Sequence, residues 1–211
     1  TLSLGLDISW RRRMMPALGL NATGRVLDLA AGTLDVSRQI SRSYPGCSII
    51  GADLSLPMLR RGLPKMKGQR FLALCADGLA LPLAAASVDC VTIGFGIRNI
   101  SPRTQAYREI LRVLAPAGRL CILEFGSGRE RIWGGIYNFY LSWLLPMLGR
   151  LVSKDREAYG YLAKTIAGFP SAEELAAELR QAGFEQVGHQ PFSSGIVRLH
   201  TADKPHERPY G

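Results

Sequence analysis

Short apolar runs alternate with amphipathic stretches along most of the chain, the arrangement expected of parallel strands joined by crossover helices. Val26 to Ala30 reads as a first strand and Val36 to Tyr44 as the helix that follows it. Ser48 to Ala52 is a second strand closing at Asp53, and Ser55 is placed to cap a helix running through Arg61. Arg70 to Ala76 and Val88 to Gly94 supply strands three and four. A helical pattern from Pro102 to Leu114 stops at the turn signal Pro116-Ala117-Gly118, and a fifth strand follows from Arg119 to Phe125.

The alternation then breaks. Residues 126 to 170, about 45 in number, have the size of a lid inserted into a sheet scaffold and carry a second helical pattern from Tyr159 to Ile166. Within them Ile132 to Gly149 holds no charged residue, but Gly134, Gly135, Asn138, Ser142 and Pro146 argue against a spanning helix. The stretch reads instead as helices covering an apolar cavity, with Tyr137, Phe139, Tyr140 and Trp143 lining it or packing as core. Ser171 to Ala182 is a closing helix, with Ser171 as cap, Glu173 and Glu174 in the first turn and Gly183 as terminator. Phe184 to Pro191 and Gly195 to Thr201 are close enough to form a hairpin. With neither an internal repeat nor a linker, residues 1 to 211 are expected to be a single domain.

Composition narrows the class. An apolar fraction of 47% beside 20% charged residues is that of a globular protein rather than a disordered one. The net charge of +9 favours anionic surfaces. Nucleic acid is not expected, because the Arg residues are scattered apart from Arg11-Arg12-Arg13 and no aromatics interleave with them. That triplet follows the alternating Leu2, Leu4, Leu6, Ile8 and Trp10, a spacing that fits a helix face poorly, so a solvated turn is expected, with a helix lying on a membrane as the alternative. Cys47, Cys75, Cys90 and Cys121 form no CxxC pair and read as buried reduced thiols of a cytoplasmic protein. His189, His200 and His206 sit far from any paired ligand, so no metal is expected. No signal peptide is read, and the start at Thr1 without Met suggests a trimmed N-terminus.

Ligands of open α/β sheets bind beyond the carboxyl ends of the strands. Those ends hold Asp28 to Asp35, then Asp53 and Leu54, Asp77 and Gly78, and Gly94 to Asn99. The loop Asp28-Leu29-Ala30-Ala31-Gly32-Thr33-Leu34-Asp35 lacks both the dinucleotide fingerprint and the Gly-Lys-Ser/Thr ending of a phosphate loop. Four acids, Asp28, Asp35, Asp53 and Asp77, would repel a pyrophosphate. They suit a ligand with a sulfonium, an ammonium and ribose hydroxyls, which describes S-adenosylmethionine. Asp53 is placed for the ribose hydroxyls and Asp77 for the adenine amino group, with Gly78 leaving room for the ring.

Beyond that loop the chain resembles the ubiquinone and menaquinone biosynthesis C-methyltransferases from about Leu4 to His200. Val26 to Ala30 with Gly32, Thr33 and Asp35 is similar to the family's first motif, and Gly94-Phe95-Gly96-Ile97-Arg98-Asn99 to its signature after strand four. Leu123-Glu124-Phe125, Tyr159, Tyr161-Leu162, Ile166, Phe169-Pro170, Ala182-Gly183-Phe184, Gly195-Ile196-Val197 and Leu199-His200 add to the likeness. The resemblance implies a class I S-adenosylmethionine methyltransferase fold: an α/β domain whose seven-stranded mixed sheet has six parallel strands and an antiparallel last strand, helices on both faces, and a helical aromatic-rich lid. It implies cofactor contacts at Thr33, Asp53, Asp77, Gly78 and Gly94. Leu34 stands where the family usually has Gly, which would put a side chain beside the methionine end of the cofactor, and Gly94 stands where relatives often have Ser.

The activity so implied is carbon methylation of a demethylmenaquinol or demethylubiquinol ring. Holding the ring carbon in line with the methyl group would supply much of the rate. Arg98 is the candidate to stabilise the phenolate and Asn99 to orient the ring oxygen. Water, Asp155, Tyr159 or His200 are candidate proton acceptors. The expected partners are a prenylated quinol, the inner membrane face as a peripheral contact and, as an alternative to a monomer, a second copy in a homodimer. Two rival readings remain: methylation of a soluble phenol or other small metabolite, and a non-catalytic cofactor-binding subunit of a quinone-synthesis complex.

Overall fold

The computed structural model describes residues 6–126 and 169–206. The expected lid, with Asp155, Tyr159 and the aromatic stretch, lies outside those residues.

Helix α1 (Leu6–Met14) leads through a 3-10 turn (Met15–Leu18) to strand β1 (Arg25–Leu29). Helix α2 (Asp35–Ser43), β2 (Ser48–Asp53), α3 (Leu56–Gly62), a second 3-10 turn (Leu63–Met66), β3 (Phe71–Cys75) and β4 (Val88–Gly94) follow. After α4 (Arg103–Val113) and β5 (Leu114–Phe125), the described chain resumes at α5 (Ala172–Ala182) and ends in β6 (Glu185–Phe192) and β7 (Val197–Asp203). The seven strands form one sheet in the order β3-β2-β1-β4-β5-β7-β6. Strands β1 to β5 pair in parallel, and β7 inserts antiparallel to both of its neighbours, β5 and β6. The mixed sheet of six parallel strands and an antiparallel last strand is therefore present, with β7 second from the edge.

Alternation along the strands builds two cores. Leu27, Leu29, Val91, Ile93 and Ile122 face Tyr107 and Ile110 of α4 and Leu175 and Leu179 of α5. Val26, Ile49, Cys90, Cys121 and Leu199 face Trp10 and Met14 of α1, Val36 and Ile40 of α2 and Leu59 of α3. Each such Leu or Ile, fully buried, contributes about 1.5–3 kcal/mol. Ser171 and Glu174 close a reciprocal capping box on α5, and Gly183 ends the helix at φ 104°.

Three expectations change. Residues 6–14 are helical rather than a solvated turn, because Trp10 and Met14, one turn apart, are both buried and Arg11 pairs with Asp7 at the same spacing. The turn signal at 116–118 lies within β5, where the pairing shifts register between Val88 and Cys90 and Ala117 adopts φ 59°. Cys75, at the end of edge strand β3, is exposed, whereas Cys47, Cys90 and Cys121 are buried, and all four are free thiols.

Candidate functional site

A crevice of about 350 Å³ opens beyond the carboxyl ends of β1, β2, β3 and β4. Its floor is the β1–α2 loop, which turns by left-handed backbone at Ala30 (φ 54°), Gly32 (φ 53°) and Leu34 (φ 64°). The loop is pinned to β2, since Ala31 N donates to Ala52 O at 3.0 Å and Gly32 N to Asp53 Oδ2 at 2.8 Å. The other carboxylate oxygen of Asp53 accepts from Ser55 N at 2.7 Å, so this acid also fixes the start of α3, where Ser55 makes no side-chain cap. Gly96 packs so tightly on the loop that a Cβ there would lie 2.5 Å from that of Ala30.

Seven of the nine expected cofactor contacts line the crevice: Gly32, Thr33, Asp35, Asp53, Leu54, Gly78 and Gly94. Asp28 does not. It is fully buried, accepts from Ser37 N (2.9 Å), Ser37 Oγ (2.6 Å) and Thr92 Oγ1 (3.0 Å), and thereby ties α2 to β1 and β4. Burial pushes its pKa up to about 6 against the pull of those hydrogen bonds. Asp77 does not line the crevice either; it is exposed and accepts from Leu79 N at 2.9 Å in a turn, leaving Ala76 and Gly78 as the crevice wall. Asp35 is partly desolvated, but hydrogen bonds from Lys65 (2.7 Å) and Thr33 (2.8 Å) outweigh that burial and hold its carboxyl below the usual range.

Leu34 does not crowd the crevice. Its side chain is fully buried in the core between β2 and α3, where Gly51 and Gly62 make room: a Cβ at those glycines would meet it at 2.8 and 2.6 Å. Gly94 has a similar cause, since a Cβ there would lie 2.6 Å from Val36 Cγ2.

Of the expected catalytic residues, Asn99 lines the crevice and is exposed. Arg98, in the same 3-10 turn, is directed instead to the buried Glu124 of β5, which accepts a hydrogen bond from its guanidinium. Burial raises the Glu124 pKa despite that cation. His200 is buried mid-strand opposite Ile122 and His189, outside the crevice, and its Nδ1 has no partner among the described residues. Burial, with His189 and Arg198 nearby, depresses its pKa to about 3, which leaves it neutral and a weak base.

Two features escaped the sequence reading. Arg11 of α1 is the one cation lining the crevice among the described residues. Its side chain is 16% exposed, held by Asp7 at 2.8 Å, and its field reaches Asp28 and Asp35. The crevice wall at the β4 end is aromatic: Phe95 lies 4.8 Å from Phe125 and 6.2 Å from Trp10 between ring centroids. The tryptophan at helical distance from Met14 was the signal available for both, since burying that pair brings Arg11 to the mouth.

The arrangement has the charge of S-adenosylmethionine in reverse. Among the described residues the crevice is lined by two acids, Asp35 and Asp53, and one cation, Arg11, with no basic cradle for a phosphate.

A model of the ubiE/COQ5 methyltransferase family matches residues 1–204. The chain is 41% identical over 202 residues to the ubiquinone/menaquinone biosynthesis C-methyltransferase UbiE of Syntrophotalea carbinolica, covering 95% of this chain and 85% of that protein. It is 39% identical over 206 residues to the demethylmenaquinone methyltransferase of Thermus thermophilus, covering 97% and 93%. Among solved structures, a SAM-dependent methyltransferase from Aquifex aeolicus superposes with a TM-score of 0.71 at 16% identity, covering 96% and 93% of the two chains. Phosphoethanolamine N-methyltransferase 2 of Haemonchus contortus in complex with S-adenosyl-L-methionine does so at 0.68 and 17% identity, covering 96% and 53%. At such identities the structural likeness speaks for the fold.

Proposed function

This chain belongs to the ubiE/COQ5 methyltransferase family, and on that premise we propose that it is an S-adenosylmethionine-dependent enzyme that methylates a ring carbon of a prenylated quinol in quinone biosynthesis. The observation that carries this reading is the acid-lined crevice anchored by the Asp53–Gly32 contact, with Arg11 as the one cation among its described lining residues.

Bound there, S-adenosylmethionine supplies an electrophilic methyl group. Asp53 would accept from the ribose hydroxyls, Ala76 and Gly78 would flank the adenine, and Asp35 and Thr33 would hold the methionine portion, since all five line the crevice. Arg11, which lines the same crevice, would pair with the methionine carboxylate. The quinol ring would rest against Phe95 and Asn99 would orient the ring oxygen, while Arg98, anchored on Glu124, holds the turn that carries Asn99. His200, buried away from the crevice, does not suit the role of proton acceptor, which leaves water, Asp155 and Tyr159 as the candidates. A prenylated substrate implies peripheral contact with a membrane, and no helix among the described residues is long and apolar enough to cross one.

The test is a methyl-transfer assay on short-tailed demethylmenaquinol and demethylbenzoquinol, with product identified by mass spectrometry and the quinone pool of a deletion strain measured beside it. Transfer to a quinol and a build-up of the demethylated quinone are expected. Cofactor binding without transfer to either quinol, or transfer only to soluble phenols, overturns the reading.

A further inference from the structure

Between Asp53 and Asp77 the chain has no acidic residue and five cations, Arg60, Arg61, Lys65, Lys67 and Arg70. Lys65 bonds to Asp35, at 2.7 Å. The other four are exposed, and none of them forms an ion pair among the described residues. The same stretch concentrates exposed apolar side chains. Leu54 (70%), Leu56, Met58, Leu63 and Leu72 are five of the seven large hydrophobics that stand exposed among the described residues, the others being Leu6 and Ile8 of α1.

Periodicity arranges these groups. Leu59, Gly62 and Met66 turn inward to the core, so Leu56, Arg60, Leu63 and Lys67, spaced by three and four residues, share the outward side of α3 and the turn after it. Basic side chains alternating with aliphatic ones on one exposed face have the chemistry of a surface that adsorbs to lipid: the cations meet anionic headgroups and the aliphatic groups dip below them. A nucleic acid would call for aromatic platforms on which bases stack, and none of the exposed large apolar groups here is aromatic.

We propose that the outer face of α3 and the loop leading to β3 dock this protein on an anionic phospholipid bilayer. Leu54, just before α3, and Met58, within it, are exposed and line the crevice wall, so docking of this segment brings the crevice close to the lipid surface. That last step rests on the quinol reading, whereas the bilayer contact stands on charge and exposure. Helix α1 is the weaker alternative: Arg11 is held by Asp7, and Arg13 lies over the Phe192 ring at 4.2 Å, which leaves Arg12 beside Leu6 and Ile8.

The full chain is co-sedimented with phosphatidylcholine vesicles, with and without phosphatidylglycerol, at low and high salt. Binding is expected only to the anionic vesicles and is expected to weaken with salt. Each cation near an anionic leaflet is worth about fivefold in partitioning, so Arg60→Ser with Arg61→Ser should lower binding roughly 25-fold, and Leu63→Ser should lower it severalfold. Transfer to a short-tailed, water-soluble quinol should stay unchanged in these variants. That assay reports on the quinol reading separately, because it needs no vesicle. Equal binding to neutral vesicles overturns the proposal, as does loss of binding in Arg12→Ser but not in the α3 variants. So does preference for RNA over vesicles, or self-association in sedimentation that Leu63→Ser abolishes.

Discussion

Leu34 occupies a left-handed backbone position, φ 64°, that costs a non-glycine residue about 1–2 kcal/mol, yet its side chain is fully buried. Leu34→Gly relieves the strain and leaves a cavity of the kind that costs about 2–5 kcal/mol. Urea denaturation should therefore show a net loss of about 1–3 kcal/mol, while affinity for S-adenosylmethionine, read by calorimetry, stays within twofold. A marked gain in affinity would mean that Leu34 crowds the cofactor after all. Arg11 sits on the other side of that balance, exposed enough to meet a ligand. A charge-assisted hydrogen bond is worth about 1.5–3 kcal/mol, so Arg11→Ala should weaken S-adenosylmethionine roughly 10- to 150-fold and leave 5′-methylthioadenosine, which lacks the carboxylate, unaffected. His200 gives a pH prediction. Its folded pKa of about 3 lies below the ordinary 6.5, so its contribution is complete above pH 6.5. As pH falls toward 3 the unfolded chain takes up a proton that the folded one refuses, and stability is lost at up to about 1.4 kcal/mol per pH unit. Asp28 works in the opposite sense between its ordinary 3.8 and about 6, because there the folded state binds the proton first. His200→Gln keeps the Asp28 contribution, so the difference in urea midpoint between it and the parent protein at pH 7 and pH 5 isolates the histidine. An unchanged acid limb would show that His200 is solvated.

Among the elements, the parallel strands were legible because burial on both faces writes them as continuous apolar runs, Val26 to Ala30 and Val88 to Gly94 among them. Helix α5 was legible from its caps, since Ser171, Glu174 and Gly183 act locally. Helix α1 was not. Only Trp10 and Met14 of its residues are buried, so its apolar signal is two positions long, and the alternating leucines before it mask even that. The acids at the strand ends were legible as a group and not one by one. Asp28 and Asp53 read alike in sequence, but Asp28 turns inward, where Ser37 of α2 and Thr92 of β4 claim it, whereas Asp53 reaches the crevice. Leu34 misled for a related reason, because its pairing with Gly51 and Gly62 is a tertiary contact that spacing does not encode. Since α1 delivers Arg11, the helix and the cofactor should be coupled. Trp10→Ala should cost about 3–5 kcal/mol of stability and also weaken S-adenosylmethionine, measured by calorimetry at a temperature where the variant is folded. Intact affinity in a destabilised but folded variant would separate the helix from the site.

At the scale of the whole molecule, the crevice joins segments that are far apart in sequence: α1, the β1–α2 loop, the start of α3, the turn after β3 and the turn after β4 all contribute to its wall. No single segment holds the site, so a ligand that fills it links them and is linked in turn to global folding. Anything that binds the folded state alone stabilises it by RT ln(1 + [L]/Kd), about 2.7 kcal/mol when the ligand is a hundredfold above its Kd. For a chain of 211 residues, each kcal/mol moves the thermal midpoint by about 2–4 °C. Saturating S-adenosylmethionine should accordingly raise the midpoint by roughly 5–10 °C. We propose that the chain unfolds as one domain, so calorimetry should show a single transition that moves as a whole. The Arg11→Ala protein should show a much smaller rise at the same ligand concentration, because its Kd is higher while the other contacts persist. A transition that splits, with only one part responding to the ligand, would show that the closing helix and hairpin fold apart from the crevice. A midpoint that ignores the ligand altogether would place the cofactor elsewhere.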